Sequence, residues 1–450
     1  MDIDSLLKPF QRFGVHLGLE RIQRLLADLG NPHHSVPIIH VAGTNGKGSV
    51  CAYLSAVLTE AGYRTGRYTS PHLVDWTERL CLNEQPISTE AIEQLLLQVK
   101  AAIPEECEDS PTQFEVITAA AWLYFAQQQV DIAVIEVGLG GRLDATNVSN
   151  SPLVTIITSI SREHWQHLGP TLADIAREKA GILKAGCPAV IGQLPSEAKA
   201  VVEQRIKELG CPTLWVKPAK RLEEGWADYQ DFEDFQLNPK SKIVRLSAVR
   251  LSSPSKPHAE VQNPKSLRYP LPLLGDIQLM NSAIAIASLQ ILQQRGWKIP
   301  DEAIQNGMAK THWLGRLQWT TWQNHRLLID GAHNPAAALA LRHYVDTLNT
   351  SVTWVMGMLS TKDHVDIFKA LLRNGDRLYI VPIPDHSSAD PDALATLAQT
   401  LYPELADCRT YPNLEAGLQA ATSYSAEAPE NLIILCGSLY LVGHFLQINH

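Results

Sequence analysis

The stretch HVAGTNGKGSV, residues 40–50, constrains this chain more than any other part of it. An apolar run at 36–41 enters it. A helical period leaves it, with Val50, Tyr53, Leu54, Val57, Leu58 and Ala61 on one face and Gly62 as a stop. Strand, glycine-rich turn and helix in that order make a phosphate cradle. The glycines let backbone N–H groups converge on phosphate oxygens, the helix N-terminus adds its dipole, and Lys47 adds a point charge. The candidate phosphate-binding residues are Asn45, Gly46, Lys47, Gly48 and Ser49. The spacing is a shortened form of G-x-x-x-x-G-K-[ST], because Val41 stands where the first glycine would be. A plain glycine-rich turn is the competing reading, and Lys-Gly-Ser opening a helix weighs against it.

The rest of the chain repeats the alternation of strand and helix. Apolar runs at 132–135, 153–157 and 188–191 read as strands buried on both faces, and 171–184 reads as a helix. Such alternation implies an α/β fold, with a mostly parallel sheet of the phosphate-loop type covered by helices on both sides. Residues 221–269 are polar and irregular, and KIVRLSAVRL at 242–251 suits an antiparallel hairpin. An apolar helix is expected at 279–292. Beyond Arg295-Gly296-Trp297 the alternation restarts, with short strands at 327–329, 352–355, 377–381 and 432–435. The reading is therefore two domains, 1–295 and a smaller Rossmann-like 296–450. A chain of 450 residues has room for both.

Three further motifs carry chemistry. In IEVGLGGRLDATN, Glu136 closes an apolar strand, and ligands of open α/β sheets bind at that end. A carboxylate there can hold Mg²⁺ beside a nucleotide. In ITSISREHWQHLG, His164 follows the strand at 153–157; a lone loop histidine is more often structural, and composition alone would not select it. In DGAHNP, Asp330 and His333 follow a strand and read as functional, whereas Asn334 before Pro335 reads as a helix cap.

The segments GTNGKGS, YTSPHL, TQFEVITAAAW, EVGLGGRLDATN, REKAGILK, LGDIQLMNSAIA, WLGRLQ, DGAHNP and CGSLYLVG occur in this order. The ordered set resembles the folylpolyglutamate synthase and dihydrofolate synthase family, within the Mur-type ligases. The resemblance implies an ATP-dependent ligase. ATP phosphorylates a folate-type carboxylate, and the amine of L-glutamate then attacks the acyl phosphate. By resemblance, Ser70, Glu136 and His164 bind Mg²⁺, and Lys179 is carbamylated and helps to hold a second Mg²⁺. Asn281, Arg316 and Asp330 match nucleotide contacts, and Lys47, Lys179, Asp330 and His333 form the catalytic set. Gly18, Leu19, Glu20, Arg21, Thr112, Gln113, Phe114, Glu115, Leu143, Asp144 and Ala145 match contacts to the pterin substrate. TQFE and LDA match the pattern tied to dihydropteroate, so the resemblance implies use of both dihydropteroate and tetrahydrofolate; a monofunctional folylpolyglutamate synthase, or a Mur-type ligase of another substrate, is the alternative. Arg316 and Asp330 come from the C-terminal domain, so the resemblance also implies an active site in the interdomain cleft. A bound monovalent cation fits the same picture. The family's Gly-Leu-Asp before the metal histidine is Ser161-Arg162-Glu163 here, its Trp-Pro-Gly-Arg is Trp313-Leu314-Gly315-Arg316, and its Lys-Asp-Lys-Asp turn is Ser360-Thr361-Lys362-Asp363.

Composition sets the remaining expectations. A net charge of -9 argues against nucleic acid as the partner. Seven scattered cysteines with no C-x-x-C pair argue for a reducing compartment, taken as the cytoplasm. MDIDSLLKPFQRFG lacks a basic stretch followed by an apolar run, so no signal peptide is expected, nor a membrane span. Small-molecule substrates and a monomer complete the reading.

Overall fold

The computed structural model describes residues 2–11, 16–104, 109–223, 225–230, 266–384, 387–428 and 430–449. The hairpin expected at 242–251 lies outside them.

The first sheet has eight strands: β1 (Ile38–Ala42), β2 (Thr65–Tyr68), β3 (Leu80–Leu82), β4 (Gln85–Pro86), β5 (Ile132–Glu136), β6 (Val154–Ile157), β7 (Ala189–Ile191) and β8 (Thr213–Trp215). Their order is β4-β3-β2-β5-β1-β6-β7-β8, with β2, β5, β1, β6, β7 and β8 parallel and the β3–β4 hairpin antiparallel at one edge. Alternate residues of β1 feed different cores. Ile39 and Val41 pack with the helices Lys47–Glu60 and Ile277–Gln294, while Ile38 packs with the helix Gln113–Gln127. A period of two on a sheet covered on both faces requires this. The chain order reverses at β1, with β5 on one side and β6 on the other, so the loops after these strands open into one crevice.

A three-stranded antiparallel sheet follows, from β9 (Lys220–Arg221), β10 (Trp226–Gln230) and β11 (Ser266–Pro270). The last sheet comprises β12 (Gln318–Trp322), β13 (His325–Ile329), β14 (Val352–Met356), β15 (Arg377–Ile380), β16 (Asp407–Thr410) and β17 (Leu432–Cys436), in the order β12-β13-β17-β14-β15-β16. All its pairs are parallel except β12–β13. Both faces are buried, one around Trp354 and Phe368 and the other around Tyr379 and Phe445. The helix Asp301–Lys310 packs through Ile304 and Met308 into the core under Lys47–Glu60, so residues just past 296 serve the first sheet.

One helix is shorter than the sequence implies. The stretch read as helix at 171–184 is α-helical only over Leu172–Lys179, then tightens to a 3₁₀ turn at Ala180–Ile182. Thr171 and Asp174 form a capping box at its start. Its end is set by crowding: a Cβ on Gly181 would meet the Cβ of Arg142 at 2.3 Å, so the loop after β5 is pressed against this turn.

Candidate active site

The cleft between the two sheets encloses about 1640 Å³. Its floor is the phosphate loop between β1 and the helix Lys47–Glu60. Thr158 Oγ1 and Ser159 Oγ, at the end of β6, donate to Asn45 O over 2.7 and 3.0 Å, and Asn45 N donates to Ser159 Oγ over 3.0 Å. The loop is thus tied to the neighbouring strand. Gly46 has φ +87°, and a Cβ there would lie 2.4 Å from Asn281 Oδ1, so the helix Ile277–Gln294 closes directly on the turn. A Cβ on Gly48 would meet the Trp313 ring at 2.5 Å, which fixes the linker to the second sheet against the same loop.

Lys47 Nζ donates to Thr44 O over 3.1 Å and lies 3.9 Å from Glu136 Oε1. Glu136 is buried at the end of β5. Burial raises its carboxyl above the ordinary range, against the charge of Lys47 and a 3.3 Å hydrogen bond from Ser70 N. Arg316 and Arg79 act on it more weakly than Lys47, and a buried carboxylate with cations only at a distance and an opening to the cleft fits a divalent ion. Among the described residues, no group of three or more His, Cys, Asp and Glu could hold a metal by itself. A metal here would rely on hydroxyl, phosphate or modified side-chain oxygens as well.

Lys179 is 4 % exposed and donates to Gly43 O over 2.7 Å. Burial first, and then the charge of Lys47, lower its amine to about 7, while Glu163 and Asp144 oppose the shift. The acidic neighbours along its helix are engaged elsewhere: Glu178 with Arg142 and Asp174 with Arg177. An ordinary surface ion pair does not describe this lysine.

The second sheet closes the cleft with Arg316, Asp330 and His333. Asp330 accepts from Leu317 N at 2.9 Å and from Ala332 N at 2.8 Å, so it braces the turn that carries Arg316. Burial raises its carboxyl, against Arg316 and those two amides. Asn334 caps the helix Pro335–Asp346 by accepting from Ala337 N at 2.9 Å. It also exchanges amide hydrogen bonds with Asn45, at 2.9 and 3.2 Å, across the cleft. The cap reading therefore describes only half of what Asn334 does.

Glu163 is a residue that sequence reasoning passed over. His333 Nε2 lies 3.1 Å from Glu163 Oε1, and His333 Nδ1 lies 2.8 Å from Gly331 O. Burial pushes the Glu163 carboxyl up, but the hydrogen bond from His333 and the charges of His333, Lys47 and His164 outweigh it and hold the group well below the usual range. His164 Nε2 is 3.7 Å from the same carboxylate oxygen, and burial lowers its ring to about 4 despite Glu163. The signal was present as the departure Ser161-Arg162-Glu163 beside His164. Lys362 also lines the cleft, and burial lowers its amine. Arg79 lines it too, with Nε donating to His72 Nδ1 at 2.9 Å; no sequence signal marked it.

Three distant segments form the far wall. Gly18 N donates to Leu143 O over 3.4 Å. Arg21 Nε pairs with Glu115 at 3.0 Å, and Glu115 forms a capping box with Thr112. Gly18, Thr112, Gln113, Phe114, Glu115, Leu143, Asp144 and Ala145 line the cleft; Leu19, Glu20 and Arg21 stand behind that lining. Both Arg21 and Glu115 are thus spent on holding the wall.

Residues 41–289 match the family model of the Mur ligase middle domain, and residues 315–448 match that of the dihydrofolate synthetase C-terminal domain. Two such halves facing each other across a phosphate loop make this a Mur-type ligase. The folylpolyglutamate synthase of Lacticaseibacillus casei is 33% identical over 98% of this chain and 97% of its own length. The dihydrofolate synthase/folylpolyglutamate synthase of Escherichia coli is 32% identical over 99% of this chain and 94% of its own. A Mycobacterium tuberculosis folylpolyglutamate synthase, crystallised with ADP and AMPPCP, superposes with a TM-score of 0.81 at 28% identity, covering 99% of this chain and 97% of that one. The chain belongs to the folylpolyglutamate synthase and dihydrofolate synthase family.

Proposed function

We propose that the protein is an ATP-dependent ligase that joins L-glutamate to a folate-type carboxylate through an acyl phosphate. The observation that carries this reading is the juxtaposition of a phosphate loop, buried Glu136 and buried Lys179 at one sheet edge, faced by Arg316 from the other domain.

Phosphoryl transfer and acyl transfer need positioning and charge neutralisation more than covalent chemistry from the protein. The amides of Gly46, Lys47, Gly48 and Ser49 and the Lys47 ammonium hold the nucleotide phosphates. Asn281, Arg316 and Asp330 place the nucleoside across the domain seam. His333, fixed between Gly331 O and Glu163, faces the amine substrate. Gly18, the 112–115 cap and Leu143, Asp144 and Ala145 form the pterin wall, which Arg21 braces from behind through Glu115. Magnesium, when bound, supplies charge neutralisation of the phosphates; Ser70, Glu136, His164 and a carbamate on Lys179 are the groups in this reading that hold it. The lowered amine of Lys179 supports carbamylation, since only the neutral amine reacts. A second magnesium ion and a monovalent cation belong to the same reading and rest on resemblance. A cytoplasmic location rests on the scattered cysteines, and a monomer is kept as the simplest state. The division into 1–295 and 296–450 rests on the restart of the strand–helix pattern, with Asp301–Lys310 packing in the first core. No helix among the described residues is long and apolar enough to cross a membrane.

The name of the Escherichia coli relative supports action on both dihydropteroate and tetrahydrofolate acceptors. The test is a direct comparison of the two as glutamate acceptors, with ADP release measured. Turnover with both is expected. Turnover with tetrahydrofolate alone reduces the activity to folylpolyglutamate synthase, and ADP release that neither acceptor nor glutamate stimulates overturns the proposal.

A further inference from the structure

Behind the pterin wall lies a buried polar chain that the reaction scheme does not use. His40 sits in the middle of β1, on the face opposite Ile39 and Val41, and is 1 % exposed. Its Nε2 is 2.9 Å from Thr146 Oγ1. Thr146 Oγ1 in turn donates to Asp144 Oδ1 over 2.6 Å. The same Asp144 oxygen accepts from Thr146 N at 3.0 Å, and Oδ2 accepts from Leu139 N at 2.7 Å. The carboxylate therefore ties the two ends of the loop 139–146 together. Between those ends Leu143 O receives Gly18 N, which joins the loop to the next segment of the wall.

Hydrogen counting fixes the direction of the chain. The Thr146 hydroxyl and the amides of Gly138, Leu139 and Thr146 converge on Asp144, so it acts as an acceptor although burial raises its carboxyl. The single hydroxyl proton of Thr146 is committed to it. The imidazole nitrogen facing Thr146 must then carry the proton, and His40 is the Nε2–H tautomer. Burial, followed by the charge of Lys184, holds the ring at about 3, so it is neutral under ordinary conditions. A neutral donor suits this place, because a buried imidazolium would be costly.

We propose that His40 is a positioning residue for the pterin wall. Acting through Thr146, it fixes the Asp144 carboxylate and so the loop that contacts the acceptor, without touching substrate itself. The inference rests on the reading of Leu143, Asp144 and Ala145 as acceptor contacts. An alternative is that His40 is only a satisfied core histidine, in which case its loss would lower stability and move no particular kinetic constant.

The test uses the full chain with His40→Leu, His40→Gln, Thr146→Val and Thr146→Ser. Leu and Val remove the donor and the hydroxyl at similar volume. Gln and Ser restore an N–H and an O–H at similar reach. His40→Leu and Thr146→Val are each expected to raise the KM for the pterin acceptor about tenfold, the upper scale for breaking one buried hydrogen bond. The KM for ATP stays unchanged, Gln and Ser restore most of the loss, and the double variant is little worse than either single one. Hydrogen exchange at the Leu139 and Thr146 amides is read in parallel and needs no substrate. It should quicken in His40→Leu and not in His40→Gln. Equal rises in both KM values, or a His40→Gln variant as poor as His40→Leu, overturn the proposal. If the wild type accepts no pterin, the acceptor reading fails by itself, and unchanged exchange in His40→Leu would still refute the positioning role.

Discussion

The two walls of the cleft use their polar groups in opposite ways. On the first domain, the charged groups beside the glycine-rich loop, Glu136 and Lys179, are poorly matched within the protein, although Glu115 and Asp144 further along the wall are not. Glu136 has Lys47 no nearer than 3.9 Å, and among the described residues Lys179 hydrogen-bonds a backbone carbonyl, with Glu163 and Asp144 acting on it only through their charge. On the second domain, the polar groups are largely satisfied. Both Asp330 oxygens take backbone amides, Asn334 serves a helix cap and Asn45, and His333 is held at both ring nitrogens. Buried, underpaired charge is costly and is relieved by a charged ligand. Buried, satisfied groups resist displacement and hold geometry. The contrast assigns charge neutralisation to the first wall and alignment to the second.

The contrast predicts a ranking of effects. Lys47→Ala should fall furthest, by about 10²–10³ in kcat, the scale for removing one preorganised group from a developing charge. Lys47 belongs to none of the apolar cores, so circular dichroism should not change; normal turnover would sink the phosphate-cradle reading and the contrast with it. Lys179→Ala should be nearly as poor. Short-chain carboxylic acids should restore part of its rate, and ¹³C-bicarbonate should give a carbamate NMR signal in the wild type that the variant lacks. A fully active variant would remove Lys179 from the first wall.

Glu136→Gln should lose about tenfold to a hundredfold, with part recovered by excess Mg²⁺, on the scale of losing one group that orients a metal. A loss that no Mg²⁺ concentration shifts would leave Glu136 as a charge partner of Lys47 alone. On the second wall, Arg316→Ala should raise the KM for ATP about tenfold while kcat changes little, as loss of uniform binding requires. An equal fall in kcat would place Arg316 in the chemistry and blur the contrast. The smallest effect is expected for Glu163→Gln, which keeps a hydrogen-bond acceptor for His333 but removes the charge; about threefold in kcat, with a rise in the KM for glutamate, is the expected scale. A loss as large as that of Lys47→Ala would make Glu163 part of the charge-handling wall.

These positions were unequally legible in the sequence. Local signals gave the phosphate loop, because strand, glycines, lysine and helix period are contiguous and each has a local physical reason. The same holds for Glu136 at a strand end and for the cap at Asn334-Pro335. The ordered motifs pointed by resemblance to His164, Lys179 and the cleft-lining segments at 112–115 and 143–145. Asp144 shows the boundary: its motif marked the loop, yet the hydrogen bonds to Leu139, Thr146 and, through Thr146, to His40 could not be read from the motif.

What the sequence determined by itself was the alternation of strands and helices, the parallel first sheet and the placing of Lys47 and Glu136 at its open end. Period-two and period-3.6 patterns are local, and so is the steric demand of a glycine turn. What only the tertiary structure decided was which residues meet. Glu163 and His333 are 170 residues apart, Asn45 and Asn334 are 289 apart, and His40 and Thr146 are 106 apart. Whether a carboxylate is free for a ligand or spent on a distant amide depends on those meetings. They arise from strand order and domain closure, which no local window of the chain contains.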